Sequence, residues 1–196
     1  MSESNSKPKL VLASRSPRRE QILRMLGYNF ITKTPPYEEI LPQGVESKGI
    51  PEFLACGKAE SMGDLGPDTL VLSSDTMVFL DDQILGKPDN ATHAFEMLTA
   101  LNGRTHEVIT GVALAKQGVL LDSGSVLTEV TFASLSEAQI RAYALSKEPL
   151  DKAGAYGIQG QGAALVESVR GCFYNVMGLP IQLTLRMLAP YSLGES

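Results

Sequence analysis

Apolar residues along this chain fall into two patterns: short unbroken runs that suit buried strands, and spaced stripes that suit helices. Leu10-Val11-Leu12-Ala13 is a run of the first kind and predicts a strand over 10–13. Ser14-Arg15-Ser16-Pro17 breaks it. From Pro17 onward Ile22, Leu23, Met25 and Leu26 share a helical face, and Gly27 predicts the stop, because glycine takes the left-handed backbone that ends many helices. A second strand is expected over 29–32, and residues 33–49, rich in Pro, Gly and acids, read as loop. Pro51 suits the opening of a helix to about 62, with Phe53, Leu54 and Cys56 available for packing. An apolar strand over 70–74 is continued or followed by 77–80, and Asp81-Asp82 reads as a turn.

Asn90 stands where it can N-cap a helix over 91–101, with Ala94, Phe95, Met97 and Leu98 as its apolar positions and Gly103 just past its end. Two long strands, 108–115 and 119–132, flank Lys116-Gln117-Gly118, which predicts a hairpin. Ser136 starts a helix to 146. Residues 154–162 form a glycine-rich loop, 163–169 a strand and 180–188 a last helix. Early strand–helix alternation followed by an antiparallel pair points to an α/β fold of the mixed α+β kind, a mixed sheet flanked by helices. No repeat or composition shift marks an independent second domain. The expected organisation is a polar tail over 1–9, a single domain over 10–189 and a C-terminal tail over 190–196.

Composition narrows the function classes. The chain has 196 residues, 43% hydrophobic and 20% charged, which is ordinary for a globular protein with ample length for a core. With 17 Lys+Arg against 22 Asp+Glu it carries a net charge of −5, which argues against gripping phosphate backbones over a whole surface; no nucleic-acid partner is expected. Cys56 and Cys172 lie far apart without a C-x-x-C, and the only histidines are His93 and His106, so neither a disulfide framework nor a Cys/His zinc site is expected. No apolar run approaches the ~18–20 residues of a membrane helix. The N-terminus is polar, without the run of a secretory signal. No membrane partner is expected, and the cytoplasm is the expected compartment.

Three groupings of polar residues bear on chemistry. In Ser14-Arg15-Ser16-Pro17-Arg18-Arg19-Glu20, taking Ser16 as N-cap and Pro17 as the first helical residue puts Arg18 and Arg19 in the first turn. The positive end of the helix dipole disfavours arginines there by roughly a few tenths of a kcal/mol each. A capping box would want Glu or Gln where Arg19 stands. A bound anion reverses the sign, because backbone N–H groups, hydroxyls and guanidinium forks then converge as a triphosphate requires. The plain alternative is a solvated helix start, and spacing leaves both open.

The second grouping is Asp75, which interrupts the apolar run from Leu70 to Leu80 and by period two shares a face with Val71, Met77 and Phe79. A carboxylate so placed must be paired, hold a metal, or lie at a strand end. A strand-ending aspartate that caps a turn is the more economical of these on sequence alone. The third is the scattered set of Lys58, Lys87 and Gln159. Each lysine taken singly reads as solvated, and Gln159 lies in a loop, Gly157-Ile158-Gln159-Gly160-Gln161-Gly162, that suits either close backbone approach to a ligand or a flexible turn. Neither a Walker P-loop nor a Rossmann fingerprint occurs.

Five stretches, in order, closely resemble the Maf family: Leu12 to Glu20, Ser74-Asp75-Thr76, Leu85-Gly86-Lys87-Pro88, Gly103-Arg104-Thr105-His106 and Asp151 to Gly160. The resemblance runs from about Leu10 to about Leu188. It implies a nucleoside triphosphate pyrophosphatase, releasing a monophosphate and pyrophosphate in nucleotide house-cleaning, with a link to cell-division arrest. It implies an elongated fold like that of the inosine triphosphatases, two lobes around a cleft, a divalent cation (Mg²⁺ or Mn²⁺) and a homodimer. By the same resemblance Ser14, Arg18 and Arg19 contact phosphates, Asp75 is the catalytic aspartate and a metal ligand, and Lys58 and Lys87 are its lysines. Glu39 is the metal-holding acid. The family often has Asp-x-Asp-Glu where this chain has Pro36-Tyr37-Glu38-Glu39, which keeps Glu38 as a second candidate. Arg18, Thr76 and Gln159 match the specificity positions of the branch acting on dTTP and UTP. The alternatives are the sister branch acting on 7-methyl-GTP and a nucleotide-binding division regulator without catalysis.

Overall fold

A computed structural model of the chain describes residues 9–146, 148–191 and 193. The expected N-terminal tail lies outside the described residues up to position 8, and Lys9 already belongs to the first strand; much of the expected C-terminal tail also lies outside them.

Among the described residues seven strands form one mixed sheet in the order β2 (Phe30–Lys33), β1 (Lys9–Ala13), β3 (Thr69–Leu80), β5 (Thr105–Lys116), β6 (Val119–Phe132), β7 (Val166–Arg170), with β4 (Gln83–Leu85) pairing onto β3. Strand β1 (Lys9–Ala13) runs parallel to both β2 (Phe30–Lys33) and β3 (Thr69–Leu80). Helix α1 (Pro17–Met25) connects the first two strands. It stops as its sequence predicts: Gly27 takes φ 79°, Gly27 N–H donates to Arg24 O and Tyr28 N–H to Leu23 O, the paired bonds of a Schellman ending. Helix α2 (Ile50–Glu60) precedes β3, and α3 (Ala91–Leu101) follows the short β4 (Gln83–Leu85). The side chain of Asn90 accepts from His93 N–H and caps α3 as expected. Strands β5 (Thr105–Lys116) and β6 (Val119–Phe132) meet at Gln117-Gly118, both at positive φ, the geometry that matches strand twist in a two-residue hairpin. Helices α4 (Glu137–Ala144), α5 (Phe173–Val176) and α6 (Ile181–Leu188) and the antiparallel strand β7 (Val166–Arg170) complete the chain.

The runs 70–74 and 77–80 join in one continuous strand, the first of the two arrangements expected for them. Other expectations need correction. The strand expected over 163–169 starts only at Val166, because Gly160–Leu165 coils into 3₁₀ turns. The strand β4 and the helix α5 were not foreseen.

The described chain divides into two compact units. One comprises the described residues of Met1–Asp75, Gly111–Ser125 and Gly178–Ser196; the other comprises those of Thr76–Thr110 and Val126–Met177. In the first, Val11, Ala13, Val71, Ala113 and Ala115 of the sheet pack on Ala55 and Ala59 of α2. Small residues on both sides bring helix and sheet close. Gly111 marks the tightest point, where a Cβ would lie 2.3 Å from Glu52 N and Pro51 O, so only glycine fits. In the second unit, Val78, Leu98, Leu101, Phe132, Ile140 and Tyr156 are among the core residues.

Candidate active site

The site is built from α2 and the part of β3 up to Asp75, both in the first unit. Strand alternation sends Val71, Ser73 and Asp75 to one face. Val71 packs with Ala55 and Ala59, and Ser73 Oγ donates to Ala55 O at 2.5 Å, which pins α2 to the strand. One helical turn beyond Ala55, Lys58 meets Asp75: Nζ donates to Oδ1 at 2.5 Å. The same Nζ lies 2.6 Å from Glu39 Oε1. One ammonium thus joins two carboxylates, and the geometry corrects two simpler expectations. Lys58 is not solvated but 7% exposed, and Asp75, also 7% exposed, is not a strand-ending turn cap but lies inside a strand that runs on to Leu80. Burial of these charges is tolerable because they are paired.

Glu39, 60% exposed at its side chain, comes from the loop after β2, and it rather than the exposed Glu38 reaches Lys58. Tyr37 holds that loop against α2. A Cβ on Gly57 would lie 2.4 Å from Tyr37 Cε2, so the ring occupies the space a side chain at 57 would need. Burial raises the Tyr37 phenol pKa, Lys58 opposes this, and Asp75 and Glu39 add to it.

At the other side of Asp75 stands the start of α1. Ser16 is the N-cap and Pro17 the first helical residue, as expected, yet the Ser16 side chain makes no capping bond. Ser14 Oγ instead accepts from Ser16 N–H at 3.1 Å and from Arg19 Nη1 at 3.4 Å. Arg19 Nε donates to Gly178 O at 3.0 Å, and the same carbonyl accepts from Ser74 Oγ at 2.9 Å. The neighbour of Asp75 in sequence therefore shares an anchor with the arginine. Burial lowers the Arg19 pKa, Asp75 and Glu39 oppose that, and Arg18 reinforces it. Arg18 is half-buried in the same first turn.

Asp75 and Glu39 converge on one cation, so their oxygens lie no further apart than two hydrogen bonds laid end to end. Two hard oxygen donors at that spacing fit a divalent cation that takes its other ligands from water and phosphate. Among the described residues no three His, Cys, Asp or Glu side chains gather.

Thr76, Lys87 and Gln159 belong to the second unit. Thr76 Oγ1 lies 2.9 Å from Thr110 Oγ1. Lys87 is exposed in the loop after β4, beside Gly86, whose carbonyl accepts from Gly154 N–H at 3.0 Å. Gln159 is half-buried in a loop that is fastened rather than loose. Glu148 accepts from Gln161 N–H, Gly162 N–H and the Tyr143 hydroxyl, each at 3.0 Å, and Tyr143 accepts from Gly157 N–H at 3.1 Å. Burial pushes the Glu148 pKa up, but those donors and Lys152 outweigh it and hold the carboxyl below its usual range. In the stretch Gly103-Arg104-Thr105-His106 two side chains make structural contacts: His106 Nε2 lies 2.7 Å from the Tyr156 hydroxyl within the core, and Arg104 Nη2 donates to both Asp81 oxygens at 3.0 and 2.8 Å. The sequence assigned no role to Tyr37, Ser74, Gly178 or Glu148, although Ser74 lies in the stretch Ser74-Asp75-Thr76 and Tyr37 precedes Glu38-Glu39.

The family model of Maf-like proteins matches residues 9–191, nearly the whole chain. The chain belongs to the Maf family. Among Maf proteins, a dTTP/UTP pyrophosphatase of Phocaeicola vulgatus is 45% identical over 185 residues, covering 93% of this chain and 95% of that protein. A dTTP/UTP pyrophosphatase of Symbiobacterium thermophilum is 43% identical over 182 residues, 93% of each chain. One of Bacillus cereus is 42% identical over 191 residues, 97% of this chain and 94% of that one. Solved structures of the Ham1 proteins of Coxiella burnetii and Staphylococcus aureus share the fold, with TM-scores of 0.55 and 0.54 at 17% and 12% identity. They cover 93% of this chain and 99% and 98% of their own. No helix among the described residues is long and apolar enough to cross a membrane.

Proposed function

We propose that this Maf protein hydrolyses dTTP and UTP to the nucleoside monophosphate and pyrophosphate. The observation that carries the reading is the buried Lys58 ammonium shared by Asp75 and Glu39, beside a first helical turn that holds Arg18 and Arg19. A nucleoside triphosphate repels a nucleophile with several negative charges. Arg18, Arg19, Lys58 and Lys87 neutralise those charges and stabilise the departing pyrophosphate. Ser14 adds a hydroxyl at the same helix start. Water attacks the α-phosphorus and the bond to the bridging oxygen breaks, its electrons leaving with the pyrophosphate. Asp75, with Oδ1 fixed by Lys58, takes the water's proton on Oδ2. Mg²⁺ or Mn²⁺ held by Glu39 and Asp75 supplies further charge neutralisation on phosphate oxygens when bound.

Base choice falls to Thr76 and Gln159. The amide N–H of Gln159 can donate to the O4 shared by thymine and uracil. The names of the relatives support this substrate pair over 7-methyl-GTP. A cytoplasmic setting, a homodimer, no nucleic-acid or membrane partner and a part in division arrest belong to the same reading; the unbridged Cys56 and Cys172 support the first.

The test is a screen of nucleoside triphosphates with Mg²⁺ and with Mn²⁺, reading monophosphate and pyrophosphate. Turnover of dTTP and UTP, lost to a chelator and restored by either cation, is expected. Release of orthophosphate from the γ-position, or no turnover, sinks the proposal.

A further inference from the structure

The hydroxyl of Thr76 belongs to a hydrogen-bonded chain whose direction is set by a buried carbonyl. Its Oγ1 lies 2.9 Å from Thr110 Oγ1, and Thr110 Oγ1 lies 2.8 Å from the backbone carbonyl of Asn175. A carbonyl oxygen only accepts, so Thr110 spends its single hydroxyl proton on Asn175 O. Toward Thr76 it has only lone pairs to offer, and Thr76 must be the donor. The carbonyl that sets this direction is itself held. Asn175 is fully buried, and its side-chain Nδ2 donates to Val108 O at 2.9 Å and to Thr128 Oγ1 at 3.0 Å. Thr128 Oγ1 in turn donates to Cys172 O and accepts from Cys172 N–H. Thr110 and Thr128 are also completely buried, so water does not compete for these bonds.

We infer that Thr110 is a specificity-positioning residue: by taking the Thr76 proton it makes Thr76 an acceptor toward the substrate, which selects a pyrimidine carrying an N3–H donor. Thymine and uracil carry that donor. Cytosine presents an unprotonated N3, whose lone pair would face the lone pairs of Thr76. A hydroxyl free to turn would serve either base, and the Thr110–Asn175 relay removes that freedom. The inference rests on the proposed pyrophosphatase reading, in which Thr76 meets the base, and supplies the physical reason a threonine there discriminates.

The experiment compares kcat/KM for UTP and CTP in Thr110→Val, Thr110→Ser, Thr76→Val and the double variant Thr76→Val/Thr110→Val. Loss of the relay in Thr110→Val should lower the UTP:CTP preference about tenfold, the scale of one mismatched polar contact. Thr110→Ser, which keeps the hydroxyl, should retain the preference. Because Thr110 acts through Thr76, the double variant should match Thr76→Val alone rather than sum the two losses. Equal loss on UTP and CTP in Thr110→Val, or summed effects in the double variant, would overturn the inference.

Thr110→Val leaves a buried carbonyl unpaired, so a measurement that does not depend on its folding is added. The N3–H of 5-fluoro-UTP is more acidic than that of UTP. Wild-type kcat/KM for 5-fluoro-UTP should therefore fall at lower pH than that for UTP, and the separation should vanish in Thr76→Val. A separation that persists there also overturns the inference. Wild-type protein that releases no pyrophosphate from UTP or dTTP defeats the pyrophosphatase reading and this inference together. Turnover with an unchanged UTP:CTP ratio in Thr110→Val defeats this inference alone.

Discussion

At the scale of single residues, the competing demands meet at Asp75 and Arg19. Asp75 Oδ1 is committed to Lys58, and the carboxylate is also the group placed to take a proton from water. Asp75→Asn keeps the shape and the oxygen facing Lys58 but cannot accept the proton. We expect kcat for pyrophosphate release to fall by about 10²–10⁴-fold or more. Lys58 keeps Glu39 as a partner, so the variant should stay folded, which circular dichroism checks. Near-native kcat would make Asp75 a structural counter-ion only. The two arginines differ in kind. Arg19 Nε and Nη1 are bonded to Gly178 O and Ser14 Oγ, so Arg19→Ala leaves a carbonyl with one donor fewer. It should cost about 1–2 kcal/mol of stability besides lowering kcat/KM. Arg18→Ala should also lower kcat/KM, and because it relieves a charge opposing the helix dipole its melting shift should be the smaller of the two. Equal melting shifts for the two, read by calorimetry, would contradict this division.

At the scale of elements, the site follows from one register, α2 laid on β3, and from a loop pressed onto that helix. The Tyr37 ring fills the place of a Gly57 side chain and so fixes the loop that brings Glu39 to Lys58. Gly57→Ala would ordinarily stabilise a helix by about 0.5–1 kcal/mol. Here the methyl evicts the ring. We expect a melting temperature near that of the unaltered protein but about a tenfold higher Mg²⁺ concentration for half-maximal activity, the usual scale for losing a group that orients a ligand. An unchanged Mg²⁺ requirement would separate Tyr37 from Glu39.

What the sequence revealed divides at the same scale. Where local signals suffice, expectation and structure agree, as at the Asn90 cap of α3, the Gly27 stop of α1 and the Gln117-Gly118 hairpin. Where a distant partner decides, they part. Residues 163–165 look apolar enough to open a strand, but Glu148 draws the amides of Gln161 and Gly162 into turns that run on to Leu165. The partner of Arg19, Gly178, lies 159 positions along the chain, and a glycine carbonyl leaves no mark in sequence. Lys58 gave no sign of burial, because what buries it is the register of α2 on β3 and the pairing with Asp75 and Glu39.

At the scale of the whole molecule, His106, which is not part of the ion-paired set, couples protonation to folding in the mildly acidic range. The ring is 2% exposed, stands edge-on to Phe132 and Tyr156, and has its Nδ1 without a hydrogen-bond partner among the described residues. Burial pushes its pKa down from 6.5 to about 4. The folded protein therefore holds the imidazole neutral at a pH where the unfolded chain protonates it. Stability from this group is complete above pH 6.5 and is lost as pH falls from 6.5 toward 4, where the unfolded state binds the extra proton. The full loss is about 3 kcal/mol. Glu148, whose pKa is lowered, acts in the same direction but only in the more acidic carboxylate range, so the window above it isolates the histidine. Urea unfolding across pH 7 to 4 should show stability falling through this range, and His106→Gln, which does not titrate, should flatten the slope even if it lowers stability throughout. A slope that survives the substitution unchanged would assign the acid sensitivity to other groups and leave the His106–Tyr156 contact as packing alone.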